Sequence, residues 1–147
     1  MITEDYVSYE IAKLLKEKGF DEETRTKYKG NGSVWDNIRY DGKWLTNSQL
    51  FPQEFSAPTH QMAMKWLREV HNIDIEVHAE VGMLGVKVYV PMISRYKSET
   101  ANPSKLRQYK HGVPFKDDKG IVPALQYFDK YEEAVEAALK YTLENLI

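Results

Sequence analysis

The spacing of apolar residues changes its period within residues 58–77, and this change defines the most informative stretch of the chain. In the first part, apolar residues recur every three or four positions. This spacing predicts a helix that packs one face on the core, with Trp66 as its anchor. That stripe consists of Thr59, Ala63, Trp66, Leu67 and Val70. After Asn72 the period falls to two, which predicts a strand with one buried face. Its inward positions are Ile73, Ile75, Val77 and Ala79. Asn tolerates the left-handed conformation that ends many helices, so we expect the helix to stop at Asn72.

Two further helices are predicted at the ends of the chain. Residues 4–18 show a helical stripe with Thr3 as a plausible N-cap, and Gly19 supplies a C-terminal stop. The last helix follows Asp129, which we predict to cap it. Its apolar stripe is Tyr131, Val135, Ala138, Leu139, Thr142 and Leu146.

The clearest strand signal is a hairpin between residues 38 and 45. An Asp41-Gly42 pair between alternating residues favours a two-residue type I′ turn. This turn predicts that Arg39 lies opposite Trp44. We expect Ile38, Tyr40 and Leu45 to share the core face, and Trp35, Arg39 and Trp44 to share the other face.

Alternation also predicts strands at 24–29 and 86–93, where Pro91 indicates an edge position. Residues 47–57 are expected to connect the hairpin to the central helix, and a short strand is expected near Leu125–Phe128. Residues 94–120 form an irregular basic loop with seven Lys/Arg against three Asp/Glu. Short hairpin connections between the strands predict a single α+β domain over residues 1–147, with antiparallel sheet and about three helices packed on one face.

Composition narrows the class of protein. The 147 residues carry a net charge of −2, which gives no global signal for nucleic acid or an anionic membrane. No apolar run approaches the roughly 20 residues that span a bilayer, and the acidic start lacks the apolar region of a signal peptide. The absence of cysteine excludes disulfides and thiolate sites. We therefore expect a cytoplasmic protein.

Two segments carry a family resemblance. The first comprises Pro58-Thr59 and Lys65-Trp66-Leu67-Arg68-Glu69-Val70-His71-Asn72-Ile73, and the second is Tyr131-Glu132-Glu133-Ala134. They resemble a pattern in a family of small uncharacterised proteins from phages and prophages of gut bacteria. His60 stands where Gln commonly follows the Thr of that pattern. Because these are packing and capping motifs, the resemblance implies a fold and an origin, with no catalytic residue.

No residue pattern supports an enzyme. His78 lies between Glu76 and Glu80 on one strand face, but a short turn at 81–84 would place Lys87 opposite His78, and a cation there opposes a metal. The sequence also lacks a nucleophile elbow and a glycine-rich phosphate loop. We therefore predict no metal, no cofactor and no catalytic residue.

The strongest candidate surface combines aromatic and basic side chains on the outer face of the first sheet region. Its members are Trp35, Arg39 and Trp44, with Arg25, Lys27 and Lys29 on a neighbouring strand. Such a set can stack bases and track phosphates, form a protein interface, or make cation–π pairs that merely cover the sheet. The acidic residues nearby weaken the nucleic-acid alternative.

These patterns do not identify an activity. We expect a module that binds a partner protein or assembles with itself. A nucleic-acid-binding accessory protein that uses the basic-aromatic face is the first alternative. An enzyme whose site is assembled from dispersed residues is the second.

Overall fold

The computed structural model describes residues 4–95 and 127–147 and has an α+β architecture, as predicted. The elements in chain order are α1 (Tyr9–Glu17), β1 (Lys27–Tyr28), β2 (Val34–Trp35), β3 (Arg39–Tyr40), β4 (Lys43–Trp44), a 3₁₀ turn (Asn47–Gln49), β5 (Phe55–Ser56), α2 (His60–His71), β6 (Ile73–Val81), β7 (Lys87–Arg95) and α3 (Tyr131–Asn145). The basic loop predicted at 94–120 lies almost entirely outside the described residues. Within the described parts, no helix is long and apolar enough to cross a membrane.

The junction of α2 and β6 forms as the period change predicts. The Thr59 side chain caps α2 by accepting a hydrogen bond from the Met62 N–H. Asn72 ends the helix at φ 54° and ψ 38°, and its N–H donates to the Leu67 carbonyl. Strand β6 then begins at the next residue, so one left-handed residue converts the helix into the strand.

Trp66 anchors the core, as predicted. It is 6% exposed, and its ring meets Phe20 edge-on with 5.5 Å between ring centres. Ala63 and Leu67 on the same stripe are fully buried, whereas Val70 is 55% exposed and its predicted burial is wrong. Val70 lies in the last turn of α2.

The first helix is shorter than predicted. It begins at Tyr9, and Ser8 caps it by accepting from the Ile11 N–H. The preceding residues are extended because they hydrogen-bond to the start of α2: the Val7 N–H donates to the Pro58 carbonyl at 3.0 Å. Thr3, the predicted cap, lies outside the described residues, and the predicted helical start at residue 4 is wrong. The stop at Gly19 is confirmed by its φ of +89°.

The β3–β4 hairpin has the predicted register. Arg39 lies opposite Trp44, and Asp41 and Gly42 both adopt positive φ, at 51° and 76°, as a type I′ turn requires. Tyr40 is 77% exposed, so its predicted place in the core is wrong. It stands directly before the turn of a very short hairpin, away from the packed elements.

A second antiparallel sheet, in the order β2–β1–β5, precedes α2. Lys27 is paired with Trp35 on one side and with Ser56 on the other. The predicted strand at 24–29 is therefore present in part, as β1. Strand β5 lies in the segment predicted to be a connector.

The longest hairpin is β6–β7, and its loop is longer than predicted. Val81 pairs with Lys87 and His78 pairs with Val90, so the predicted pairing of His78 with Lys87 is wrong. The loop closes with a hydrogen bond from the Gly82 N–H to the Val86 carbonyl. On its other side β7 pairs, among the described residues, only through a bridge between Tyr89 and Phe128.

Helix α3 completes the core. Its cap residue is Lys130, with no side-chain hydrogen bond, so the predicted capping by Asp129 is wrong. Four residues of its predicted stripe are buried, whereas Tyr131 and Leu146 are only partly buried. The helix contacts α1, α2 and the β6–β7 hairpin. The buried cluster consists of Val7, Ile11, Ala12, Leu15, Phe20, Ala63, Met64, Trp66, Leu67, Ile73, Ile93, Val135, Ala138, Leu139 and Leu143, with Ile75 and Val77 partly buried against it.

Candidate functional site

The predicted aromatic-basic face is divided between two small sheets. Trp35 lies in β2, where the Lys29 ammonium stands 3.6 Å from its ring centre. Arg39 and Trp44 lie in the separate β3–β4 hairpin, where the guanidinium carbon is 4.0 Å from the indole centre. The predicted placement of Arg39 opposite Trp44 is confirmed, but Trp35 belongs to another sheet.

Carboxylates engage two of the predicted cations. Arg25 makes two hydrogen bonds to Asp36, at 2.9 and 3.1 Å. Those bonds, with one from the Asn37 N–H, hold the pKa of Asp36 below its ordinary value. Lys27 lies 2.7 Å from a Glu54 oxygen, and both side chains are largely buried. Arg25 and Lys27 are thus each paired with a carboxylate within the chain.

Burial and hydrogen bonding act in opposite directions on Glu54. Burial raises its pKa, whereas hydrogen bonds from Lys27 and the Phe51 N–H lower it, and the net pKa lies below the ordinary value. The charge of nearby Lys29 acts in the same direction. Glu54 is therefore ionised at neutral pH and reduces the positive field beside Trp35.

Trp44 is partly buried and lines an open groove of about 270 Å³, which we call the Trp44 groove. Its apolar lining combines an indole, a phenol ring, a thioether and small residues, and its charged lining contains two acids and one base. The lining residues are Glu4, Tyr6, Glu23, Thr24, Arg25, Trp44, Ala57, Pro58, Thr59 and Met62.

Three segments of backbone create this groove. The Thr24 N–H donates to the Leu45 carbonyl at 3.0 Å, which holds β4 beside the start of the sheet. Tyr6 and Thr59 form an antiparallel bridge, which holds the N-terminal segment beside the start of α2. The Ala57 N–H donates to the Thr26 carbonyl at 2.8 Å and connects these two parts. The walls of the groove are therefore fixed by backbone hydrogen bonds.

The charge of the groove is acidic. Glu4 and Glu23 are exposed, whereas the charge of Arg25 is already balanced by Asp36, which does not line the groove. A second cavity of about 190 Å³ shares Glu4 and Thr59 with the groove and adds Asp5 to its lining. The acidic character thus continues past the groove.

A polar network centred on the buried His60 lies beside that second cavity. His60 is 5% exposed, and its Nε2 is 2.7 Å from Glu136 Oε1, which also accepts from the Ser8 N–H at 2.9 Å. Burial raises the pKa of Glu136, but the hydrogen bonds from His60 and Ser8 lower it below its ordinary value. This network ties the starts of α1 and α2 to α3, which is a structural role.

The described residues contain no group of three His, Cys, Asp or Glu side chains that could hold a metal ion. His78 lies 3.4 Å from Glu76 on an exposed strand face. The structure gives no arrangement of nucleophile, base and oxyanion donors in the Trp44 groove or in the second cavity.

Sequence reasoning missed most of the Trp44 groove. Glu4 and Tyr6 fall in the segment predicted as helix, and no surface role was predicted for Pro58 or Met62. Only tertiary hydrogen bonds bring them to Trp44. The β6–β7 loop was also not predicted as a candidate surface, although apolar residues between two glycines indicate an exposed turn. Met83 and Leu84 there are 104% and 92% exposed.

Comparisons with known proteins assign no family. No family model matches the chain, and no curated protein or solved structure is significantly similar to it.

Proposed function

We propose that this chain is a protein-binding module and that the Trp44 groove is its binding site. The observation that carries the proposal is the joining of the Trp44 indole, the Tyr6 ring and the Met62 thioether in one open groove. Tryptophan and tyrosine dominate the energetics of protein interfaces, because they desolvate a large area at low cost in side-chain entropy. A segment of another protein, or of a second copy of this chain, is the proposed ligand.

The dimensions of the groove favour a side chain over a metabolite. Small-molecule sites are clefts or cavities of about 300–1,000 Å³ that bury most of the ligand's surface. The Trp44 groove is at the lower end of that size, at about 270 Å³, and its openness to solvent leaves a ligand less enclosed. Its backbone is also fixed before any partner arrives, which lowers the entropic cost of binding.

Nucleic-acid binding is the second candidate, and Trp35 is the observation that favours it. Trp35 is 50% exposed and stands beside Lys29, a combination that can stack a base and contact a phosphate. The ion pairs of Arg25 and Lys27 weaken this candidate, because a phosphate must compete with Asp36 and Glu54. A salt-sensitive gel shift that is lost on Trp35→Ala would favour it over the protein-binding proposal.

We also propose an origin and a cellular location for the protein. The resemblance of the Lys65–Ile73 segment to phage and prophage proteins supports an origin in such an element. The absence of cysteine is in keeping with action in the cytoplasm.

The test is selection from a random-sequence peptide library displayed on phage, with the immobilised full chain as bait. We expect a shared sequence pattern to be enriched, and the enriched peptides to lose most of their affinity for Trp44→Ala while still binding Trp35→Ala. Both variants need thermal melts, since Trp44 is partly buried. Light scattering after size exclusion shows whether the ligand is a second copy. Failure to enrich any pattern, from a bait that light scattering shows to be monomeric, would contradict the proposal, as would peptides that bind folded Trp44→Ala as tightly as the wild type.

A further inference from the structure

We infer that the Trp44 groove selects a cationic segment of its partner, with a Lys or Arg side chain as the central contact. This inference rests on the proposed function and names the chemistry of the ligand. Its basis is the combination of an aromatic wall with two exposed acidic residues on the lining of the same groove, neither of which forms a salt bridge within residues 4–95 and 127–147.

The charges are arranged for a cation. Glu4 and Glu23 both line the groove and are exposed, and no ion pair is found for either of them among the described residues. Arg25 is the one cationic residue of the lining, and Asp36 holds it through two hydrogen bonds. An arriving ammonium or guanidinium therefore meets two exposed carboxylates beside one cation, Arg25, which is bound by Asp36 and also attracts Glu4.

The apolar lining suits the rest of such a side chain. Lys and Arg carry a long apolar stem that packs on apolar surface while the charged end stays near water or a carboxylate. Met62, Pro58 and Ala57 offer such a surface, and Trp44 offers an aromatic ring. Arg39 already stacks on that ring at 4.0 Å, so Trp44 makes its cation–π contact within the chain and offers an arriving side chain apolar surface for its stem.

The same charges disfavour other ligands. In a two-fold symmetric contact between copies, the same patch meets itself, so Glu4 and Glu23 would face their own counterparts. Phosphates of a nucleic acid would meet the same two carboxylates. A basic segment of a different protein is the partner that complements the groove.

Charge reversal tests the inference with the library-selected peptides as probes. We expect those peptides to share a Lys or Arg position, and replacement of that residue by Glu to weaken binding to the wild-type chain. The double variant Glu4→Lys/Glu23→Lys should bind the original peptides about tenfold more weakly, as expected when two exposed attractions become repulsions. It should regain affinity for the Glu-substituted peptide. Raising the salt concentration from about 0.1 M to about 1 M should reduce the preference of the wild-type chain for the original peptides over the Glu-substituted peptide.

A matched control variant, Glu17→Lys/Glu80→Lys, reverses the charge of two exposed acids that do not line the groove. This variant has the same net charge as the first, so a general charge effect would weaken both equally. Enriched peptides without a basic position would overturn the inference while leaving the proposed function intact, as would equal binding by wild type and Glu4→Lys/Glu23→Lys. Enrichment of no peptide at all would instead contradict the proposed function.

Discussion

Trp66 and Trp35 occupy opposite environments, and the free energy of unfolding of their alanine variants tests the core assignment. Trp66 is 6% exposed and Trp35 is 50% exposed. Truncating a buried tryptophan costs about 3–5 kcal/mol, and Trp66→Ala also removes the edge-to-face contact with Phe20. Trp35→Ala removes a half-exposed ring and its contact with Lys29, for which we expect about 1 kcal/mol. For a chain of this size each kcal/mol lowers the melting temperature by about 3 °C, so the two variants should differ by roughly 6–12 °C.

Urea unfolding followed by circular dichroism measures both free energies, and unchanged slopes show that the unfolded states are comparable. Trp66→Phe serves as the conservative control. It keeps a ring beside Phe20 and leaves a smaller cavity, so its loss should be smaller than that of Trp66→Ala. A loss below about 1 kcal/mol for Trp66→Ala, or an equal loss for Trp35→Ala, would refute the assignment of Trp66 to the core.

Three further predictions concern the acid response and the backbone. The pKa of Glu136 is depressed by the hydrogen bonds from His60 and Ser8, so its stabilising contribution is present at neutral pH and is lost as the pH falls below about 4. Glu136→Gln should therefore show a shallower loss of stability in acid titration, and an unchanged acid profile would contradict this role. Asn72→Gly should be nearly neutral in urea unfolding, whereas Asn72→Val should cost more than about 1 kcal/mol at the same left-handed position; equal midpoints would contradict the cap. Gly42→Ala should lower the free energy of unfolding by roughly 1 kcal/mol, because alanine is strained at a φ of +76°. The added methyl group meets no neighbouring atom, so a loss several times larger in urea unfolding would contradict this account.

The parts of the fold that follow from the sequence are those with a local physical signal. The period change at Asn72 and the Asp41-Gly42 turn each depend on a few neighbouring residues, and both form as predicted. The prediction of burial is confirmed at Trp66 and is wrong at Val70 and Tyr40. Periodicity assigns a residue to a face, whereas burial depends on how far the neighbouring elements extend over that face.

The Trp44 groove could not be predicted in the same way. Trp44 and its stacking with Arg39 follow from the turn register, which is local. Tyr6 and Glu4 reach the groove through the bridge between Tyr6 and Thr59, which joins segments far apart in the chain. No periodicity in either segment predicts that pairing. The N-terminal residues were predicted as helix from their local pattern, whereas the extended conformation that they adopt depends on tertiary pairing with the start of α2.

The most direct test of the central claim is the indole N–H spectrum of the nitrogen-15-labelled chain during titration with a library-selected peptide. The chain has three tryptophans, so three indole signals are expected, and Trp→Phe variants assign them. If the Trp44 groove is the binding site, the Trp44 signal should shift progressively and saturate with the binding curve, while the signal of buried Trp66 stays in place. Saturable binding that moves the Trp35 signal and leaves the Trp44 signal unchanged would contradict the account.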